Sequence, residues 1–245
     1  MKKILGLFAF STLFLSSCSS SDSPSSTASG PLVKTLIIDN INPGDQDYNL
    51  LFTYSGDKLI NIKDSGDIID QYVYTGDKLT RVNYPQDNTY ILIEYAGSQV
   101  TKFTEYDPDF DSATKTVVTY SGNTFTRTVY EGDLTSQTTL SYTEVCTVQN
   151  GNITQLTRTS SFGSSGTETY TYDTKNNPFK NISNFTVFQV LDIDIEGNAN
   201  NQTAMNYPGN PYTISITYNA DNYPLTELSY DGSAVLKESD TYTYY

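Results

Sequence analysis

A nine-residue unit, repeated with little change, constrains the fold of this chain more than any other feature. It reads YSGDKLINI from Tyr54, YTGDKLTRV from Tyr74, YAGSQVTKF from Tyr95 and YSGNTFTRT from Tyr120. Consecutive copies begin 20, 21 and 25 residues apart, which matches two strands of about eight residues with two turns. Because a catalytic site is normally present once, the repetition indicates an architecture rather than an active site.

Each unit predicts a β-hairpin. One strand ends at the tyrosine, a glycine supplies the positive φ of a tight turn, and an apolar residue begins an alternating return strand. An Asn-Gly pair at Asn150 predicts a further hairpin. The predicted turn glycines, which we interpret as structural, are Gly56, Gly76, Gly97, Gly122 and Gly151.

Short alternating runs elsewhere, such as YILIEY, KTVVTY and YTISITY, also predict strands. The segments Tyr172–Ile182 and Tyr218–Leu228 resemble the unit with longer turns. No helix is predicted beyond the N-terminal segment, and Asn200–Tyr207 is the expected place for an irregular excursion.

The expected fold class is therefore all-β, with residues 32–245 forming a domain of hairpin repeats. A hairpin of this size cannot bury its apolar face alone and must stack on its neighbours. We expect an antiparallel meander that forms a curved or partly wrapped sheet. An incomplete or closed β-barrel is the alternative.

The first residues predict an exported chain. Lys2 and Lys3 precede an apolar run, Ile4–Leu15, that has the length of a signal-peptide core and is too short to span a bilayer. The next residues, LSSC, end at Cys18. This order resembles the lipobox of bacterial lipoproteins, which implies that residues 1–17 are a signal peptide and that Cys18 carries lipid.

Residues 18–31 contain the lipidated cysteine and a Ser-rich stretch that predicts a flexible tether. Acyl chains hold such a protein on a membrane through its N-terminus. Ser19 is not the aspartate that commonly retains lipoproteins in the inner membrane. The resemblance therefore implies an outer-membrane lipoprotein, at the periplasmic face or the cell surface.

A second resemblance covers Leu50–Tyr245. The stretches YVYTGDKLTRVNY, YTYDTKNNPFKNI and ITYNADNYPLTELSYDG resemble YD (RHS-type) repeats, which also occur in uncharacterised bacterial surface lipoproteins. Several units here place glycine directly after the aromatic residue and lack the second glycine of that repeat. The resemblance implies an array of β-hairpins and does not extend to the large shells that enclose toxins.

Composition excludes several functions. The chain has no histidine, so Ser–His and Cys–His catalytic pairs and His-based zinc sites are excluded. A formal net charge of −14 argues against nucleic acid as a partner. With Cys18 assigned to lipid, Cys146 has no disulfide partner and is predicted to be a small buried residue on a strand.

Carboxylates remain as candidate ligands for calcium. In the segment DPDFDS the spacing matches the first half of a calcium loop, although Val118 stands where the loop needs its last glutamate. The same spacing in Asp192–Glu196 alternates with aliphatic residues, which favours a strand with one solvated face. The candidate calcium ligands are Asp107, Asp109 and Asp111.

The C-terminal stretch Asp240–Tyr245 is similar to the last strand of an outer-membrane barrel. Such barrels need a lipid-facing apolar band on every strand, and most strands here carry Thr, Ser, Asn and Lys on one face. A lipid-anchored sheet in water is therefore favoured.

The functional hypothesis is a membrane-anchored, non-enzymatic lipoprotein that offers an extended β-sheet surface to a protein or glycan ligand. It needs no cofactor, and calcium is the metal candidate. One alternative is a structural or assembly partner of an outer-membrane complex. The other is a carboxylate-dependent hydrolase, which would need two acids about 5–10 Å apart in a pocket.

Overall fold

The structure, a computed structural model, describes residues 30–41, 44–193, 195–207, 209 and 211–245. In these ranges 16 antiparallel strands form a closed barrel in which each strand pairs with its neighbours in sequence. The all-β meander is confirmed. The expected open sheet is wrong and the closed-barrel alternative is right, because tight turns keep successive strands paired until the last edge meets the first.

Most strands have seven to ten residues, and one short helix follows the twelfth strand. The elements are β1 (Val33–Asn40), β2 (Tyr48–Ser55), β3 (Lys58–Asp64), β4 (Asp67–Thr75), β5 (Lys78–Tyr84), β6 (Thr89–Ala96), β7 (Gln99–Asp107), β8 (Ser112–Ser121), β9 (Thr124–Gly132), β10 (Gln137–Gln149), β11 (Asn152–Ser160), β12 (Ser165–Tyr172), α1 (Phe185–Leu191), β13 (Gln202–Asn206), β14 (Tyr212–Tyr218), β15 (Pro224–Asp231) and β16 (Leu236–Tyr244).

The seam of the barrel joins the first strand to the last. Leu36 of β1 pairs with Tyr242 of β16, and both side chains are buried in the interior. On the outer face beside them, the Thr35 and Thr243 hydroxyl oxygens are 2.6 Å apart. Neither terminal strand is therefore left as an open edge.

The predicted turn glycines lie together at one end of the barrel. All five have positive φ, between 59° and 81°, so a side chain at these positions would be strained. They join even-numbered strands to the odd-numbered strands that follow. We call this the plug end and the opposite end the mouth.

A β-bulge follows the tyrosine in several units. The register between β4 and β5 shifts by one residue between Val73 and Tyr74, which leaves Thr80 as the extra residue. Leu79 and Val82, three positions apart, consequently both face the interior and are fully buried. The predicted alternation of the return strand is therefore wrong at its start and holds only after the bulge.

The repeated residues form contacts with the neighbouring units. Tyr95 Oη donates to the main-chain oxygen of Leu79 at 2.6 Å, and Tyr120 Oη donates to that of Val100 at 3.0 Å. Lys78 Nζ lies 5.1 Å from the Tyr95 ring centroid and donates to the glycine carbonyl of the next turn. The unit recurs because each copy supplies contacts to its neighbour.

The outer face of the barrel is rich in threonine. Hydroxyl pairs on adjacent strands approach closely, as at Thr217 and Thr226, 2.7 Å apart, and Thr157 and Thr167, 3.0 Å apart. Exposed aliphatic side chains such as Leu92 occur on the same strands. The outer face therefore carries both hydroxyl and aliphatic groups.

Within the described ranges, no helix is long and apolar enough to cross a membrane.

Between β12 and β13 the chain packs into the plug end of the barrel. We call residues 173–193 and 195–201 the plug. They include α1, so the absence of helix predicted from the sequence is wrong. The irregular excursion expected at Asn200–Tyr207 is also misplaced, because Gln202–Asn206 forms β13 and the irregular segment comes before it. The segment Tyr172–Ile182, which resembles the repeated unit, runs from the end of β12 into the plug and forms no hairpin.

Apolar burial holds the plug in place. Phe188 of α1 is fully buried, with its ring centroid 5.8 Å from that of Tyr72, and Phe179 lies 5.5 Å from Phe52. Polar contacts join the plug to the turns at this end: Ser183 N donates to Asp57 O, Asn184 Nδ2 to Asp77 O, and Gln189 Nε2 to Gly151 O. The plug therefore closes one end of the barrel.

Candidate functional site: the barrel lumen

The lumen lies between the plug and the mouth. It contains two adjoining cavities of about 750 and 840 Å³, which share Leu36, Ile38 and Phe179 as lining residues. Each volume is in the range of small-molecule and peptide pockets. The lining extends to Asn40 and Tyr48 at strand ends opposite the plug, so the cavities open toward the mouth.

One side of the lumen is acidic. β15 supplies Glu227, β16 supplies Glu238 and Asp240, and the plug supplies Glu196. We call these four residues the acidic wall. Glu227 pairs with Asp240 across the two strands, and alternation places Glu238 on the same inner face. None of the four forms an ion pair with a lysine or arginine in the described part of the chain.

Enclosure of these acids in the barrel makes them hard to ionise. Burial, then the charges of Glu196 and Asp240, raises the pKa of Glu227 to about 8. Burial, then the charge of Glu238, raises the pKa of Asp240 to about 7. Burial also raises the pKa of Glu196, although its side chain is exposed to the lumen. The acidic wall therefore carries only part of its full charge at neutral pH.

The 840 Å³ cavity combines apolar and acidic lining. We call its apolar part the apolar wall, and it consists of Leu36, Ile38, Leu50, Ile69, Ile91 and Phe179; Asp64, Asp70, Asp87, Glu105 and Asp192 line the same cavity. Most of these apolar side chains come from β1 to β6, where alternation turns aliphatic residues inward. A ligand that fills the lumen would therefore contact both carboxylates and hydrocarbon in each cavity.

A charged cluster attaches the plug to the barrel wall. Buried Glu144 of β10 lies 2.7 Å from Arg127 Nη2 and 2.5 Å from Arg158 Nη2. Arg127 Nη2 also lies 2.8 Å from Asp192 Oδ2, at the end of α1. Both arginines therefore already have carboxylate partners.

Exposed apolar side chains surround the mouth. Phe110 in the β7–β8 turn is 80% exposed and Phe162 in the β11–β12 turn is 98% exposed. Ile41, Tyr207 and Val235 are also exposed in turns at this end. We call these five residues the apolar rim. They lie on five different connections between strands.

The predicted calcium ligands lie at the end of β7 and in the β7–β8 turn, at the mouth. Asp107 Oδ1 accepts a hydrogen bond from Phe110 N, and Asp109 Oδ1 accepts one from Asn88 Nδ2 at 2.7 Å. Asp111 has a positive φ of 49°. Among the described residues, no three acids or cysteines are grouped to hold a metal ion. Calcium binding at this turn stays a prediction.

The second acidic motif does not form the expected strand. Asp192 is the C-cap of α1, with a φ of 58°, and binds Arg127. Glu196 reaches the acidic wall, and Asp194 lies outside the described residues. The alternation of aliphatic and acidic residues here reflects a helix end and an irregular segment.

Of the two cysteines, Cys146 lies among the described residues. Cys146 lies on β10, fully buried and free, and burial raises the pKa of its thiol to about 11. Cys18 lies outside the described residues, so lipid attachment there stays a prediction. The turn glycines lie at the plug end and do not contribute to the lumen.

Glu227, Glu238 and Asp240 are not among the site residues expected from the sequence. A signal was present in β16, where Glu238 and Asp240 share the period-2 face with Tyr242. Acids on the same face as aromatic residues break the usual rule of polar residues outside and apolar residues inside. Such a break indicates a solvated interior.

The fold is similar to that of two solved structures. A porin-like protein from Bacteroides vulgatus superposes with a TM-score of 0.55 at 14% identity, covering 88% of this chain and 99% of that one. A porin-like protein from Bacteroides uniformis gives 0.52 at 10% identity, with coverage of 87% and 98%. No protein-family model and no curated protein matches the chain. The likeness establishes the barrel fold, and the lipobox and YD-repeat resemblances stay predictions.

Proposed function

We propose that this chain is a membrane-anchored, non-enzymatic lipoprotein that binds a ligand in the lumen of its barrel. The observation that carries the proposal is the cup-shaped interior, closed by the plug and open at the mouth, with an acidic and an apolar wall. Barrels of this kind can enclose a ligand when side chains do not fill them.

Closure of the barrel places the sheet face on which binding was expected inside the lumen. An open sheet would offer its broad face to a protein or glycan, but here that face lines the interior. The outer face carries paired threonines such as Thr217 and Thr226. We therefore assign protein or glycan binding to the lumen and the apolar rim.

The tether enters at the plug end. Asn181 of the plug donates to the main-chain oxygen of Pro31 at 2.8 Å, next to the first described residue, Gly30. Residues 19–29 therefore join this end to the proposed lipid at Cys18, a reach of at most about 40 Å. Anchoring at the outer membrane would hold the plug end near the bilayer and direct the mouth away from it.

Membrane fractionation tests the anchor. Cys18→Ala should release the protein into the soluble fraction, while the matched variant Cys146→Ala should stay with the membrane. If the Cys18→Ala protein remains membrane-bound after a carbonate wash, the lipoprotein proposal fails.

Blocking the lumen tests the binding site. Ser229 lines the 750 Å³ cavity, and Ser239 lies on the outer face of the neighbouring strand, between the inward Glu238 and Asp240. The lipidated protein in nonionic detergent is screened against a glycan array and a peptide library. Ser229→Trp should lose the ligands found and Ser239→Trp should retain them. Equal binding by the two variants would contradict a lumen site.

A hydrolase is the second candidate, because Glu227 lies directly opposite Asp240 in a concave site and both carboxyl groups have raised pKa values. Acids in such environments serve as proton donors in glycoside hydrolysis. The test is release of reducing sugar from a panel of glycans. Activity that disappears in Glu227→Gln would establish the hydrolase, and release no greater than that of the variant would exclude it.

A further inference from the structure

We infer that the ligand of this lumen is a cationic amphipathic polypeptide segment, with basic groups against the acidic wall and aliphatic groups against the apolar wall. The inference rests on the proposed lumen binding and adds the chemistry of the partner. It follows from the charges in the cavity, their spacing and the arrangement of apolar surface.

The charge of the 750 Å³ cavity favours a basic ligand. Glu196, Glu227, Glu238 and Asp240 face the 750 Å³ cavity, whereas Lys237 is its one basic lining residue among the described ones and lies 3.2 Å from Asp231. Acids held together without counter-charges repel one another, and a basic ligand relieves this repulsion. An anionic ligand would add to it.

The spacing of the carboxylates favours several organic cations over one metal ion. No three of these carboxylates are grouped closely enough for a metal ion within the described residues. They extend from the plug along two strands, which suits several separate ammonium or guanidinium groups. Asn201 lines the same cavity, is 3% exposed, and its Oδ1 has no hydrogen-bond partner in the described structure. A buried acceptor without a donor adds to the preference for a donor-rich ligand.

The apolar lining of the lumen favours a ligand that also has aliphatic side chains. Leu50, Ile69 and Ile91 line the 840 Å³ cavity, which adjoins the cavity of the acidic wall, and Phe110 and Phe162 stand exposed at the mouth. A polyamine or a sugar would leave this hydrocarbon in contact with water. A segment with basic and aliphatic side chains covers both walls, and the hydrophobic gain grows with the apolar area buried.

Peptides of matched length test the ligand class. The lipidated protein in nonionic detergent is titrated with a fluorescent 14-residue peptide of alternating Lys and Leu. The two comparison peptides alternate Glu with Leu and Lys with Ser. The Lys–Leu peptide should bind at least tenfold more tightly than either. Equal binding by the Lys–Ser peptide would overturn the role of the apolar wall, and equal binding by the Glu–Leu peptide would overturn the role of charge.

A pair of double variants with the same net charge tests the position. Glu238→Gln/Asp240→Asn removes two acids from the lumen, and Glu94→Gln/Glu131→Gln removes two from exposed positions elsewhere. The lumen variant should weaken Lys–Leu binding at least tenfold, and the control should change it less than threefold. Equal weakening would show general charge attraction and overturn the inference. Thermal melting verifies that each variant is folded.

Different results would overturn the class of ligand and the lumen as the binding site. If the Lys–Leu peptide does not bind while another library ligand is lost in Ser229→Trp, the inference is overturned and lumen binding stands. If Ser229→Trp and Ser239→Trp bind every ligand equally, lumen binding itself fails, and the inference fails with it.

Discussion

The Tyr95 hydroxyl donates a 2.6 Å hydrogen bond to the main-chain oxygen of Leu79, 16 residues earlier in the preceding unit. The same contact recurs from Tyr120 to Val100 and from Tyr172 to Ile153. Each tyrosine therefore fastens one hairpin to the hairpin before it, beyond the contacts made by the strand ladder.

Removing this hydroxyl should weaken the barrel. Tyr95→Phe leaves the half-buried Leu79 carbonyl contact unmade and should lower the free energy of unfolding by about 0.5–1.5 kcal/mol. Tyr106→Phe is the control, because the Tyr106 ring stacks on Tyr90 at a centroid distance of 5.0 Å on the outer face. Urea unfolding followed by circular dichroism measures the difference. An equal effect of both variants would show that the hydroxyl contact contributes nothing.

The Arg127–Glu144 pair should matter far more than its link to the plug. Arg127→Met leaves Glu144, which is 2% exposed, paired with Arg158 alone and should cost about 3 kcal/mol of unfolding free energy. Asp192→Asn should cost about 0–1 kcal/mol, because that side chain is 59% exposed.

A double variant separates the two contributions. Arg127→Met/Glu144→Met removes the buried charge as well as its partner, so it should be less destabilised than the sum of the single variants. Urea unfolding again gives the values. Additive losses would show that Glu144 is not left uncompensated in Arg127→Met.

Stability should fall as pH rises through the range in which Glu227 loses its proton. Its pKa is raised from 4.5 to about 8 in the folded barrel, so between these values the folded state holds a proton that the unfolded state has released. The unfolding free energy therefore decreases with pH across this window.

Glu227→Gln should flatten this pH dependence. Its melting temperature should exceed that of the unchanged protein at pH 8.5 and differ little from it at pH 4. Glu131→Gln, which alters an exposed acid, serves as the control. A melting temperature for Glu227→Gln that is lower at pH 8.5 than that of the unchanged protein would contradict a raised pKa.

Cys146 should resist alkylation in the folded protein. Its thiol is fully buried, and burial raises its pKa to about 11, so little thiolate forms at pH 8. Iodoacetamide followed by mass spectrometry should show modification only in urea. Thr147→Cys in a Cys146→Ala background places a thiol on the outer face of the same strand and should react without denaturant. Reaction of native Cys146 at that control rate would contradict its burial.

The local structure of the hairpins could be predicted because glycine and tyrosine act within a few residues. Gly76 adopts the positive φ that the turn needs, and Leu79 is a core residue as its pattern indicates. The bulge at Thr80 could also have been predicted, since Leu79 and Val82 are three positions apart where a regular strand requires two.

Closure, plug and lumen depend on contacts between distant residues. Val187 and Phe188 favour a strand by composition, yet burial between barrel strands stabilises them as a helix. Glu227 and Glu196 meet only because the plug enters the barrel. No local pattern encodes that meeting, so the place of Glu196 in the acidic wall could not be derived from the sequence, whereas the inner face of β16 carried a signal for Glu238 and Asp240.

The pairing of Leu36 with Tyr242 has a consequence for biogenesis. The first strand pairs with the last, so the seam can form only after nearly the whole polypeptide has been synthesised. Until then both terminal strands are open to pairing with other chains, and such long-range closure is slow. The lifetime of the unclosed chain, rather than the stability of the finished barrel, should therefore limit the yield of folded protein.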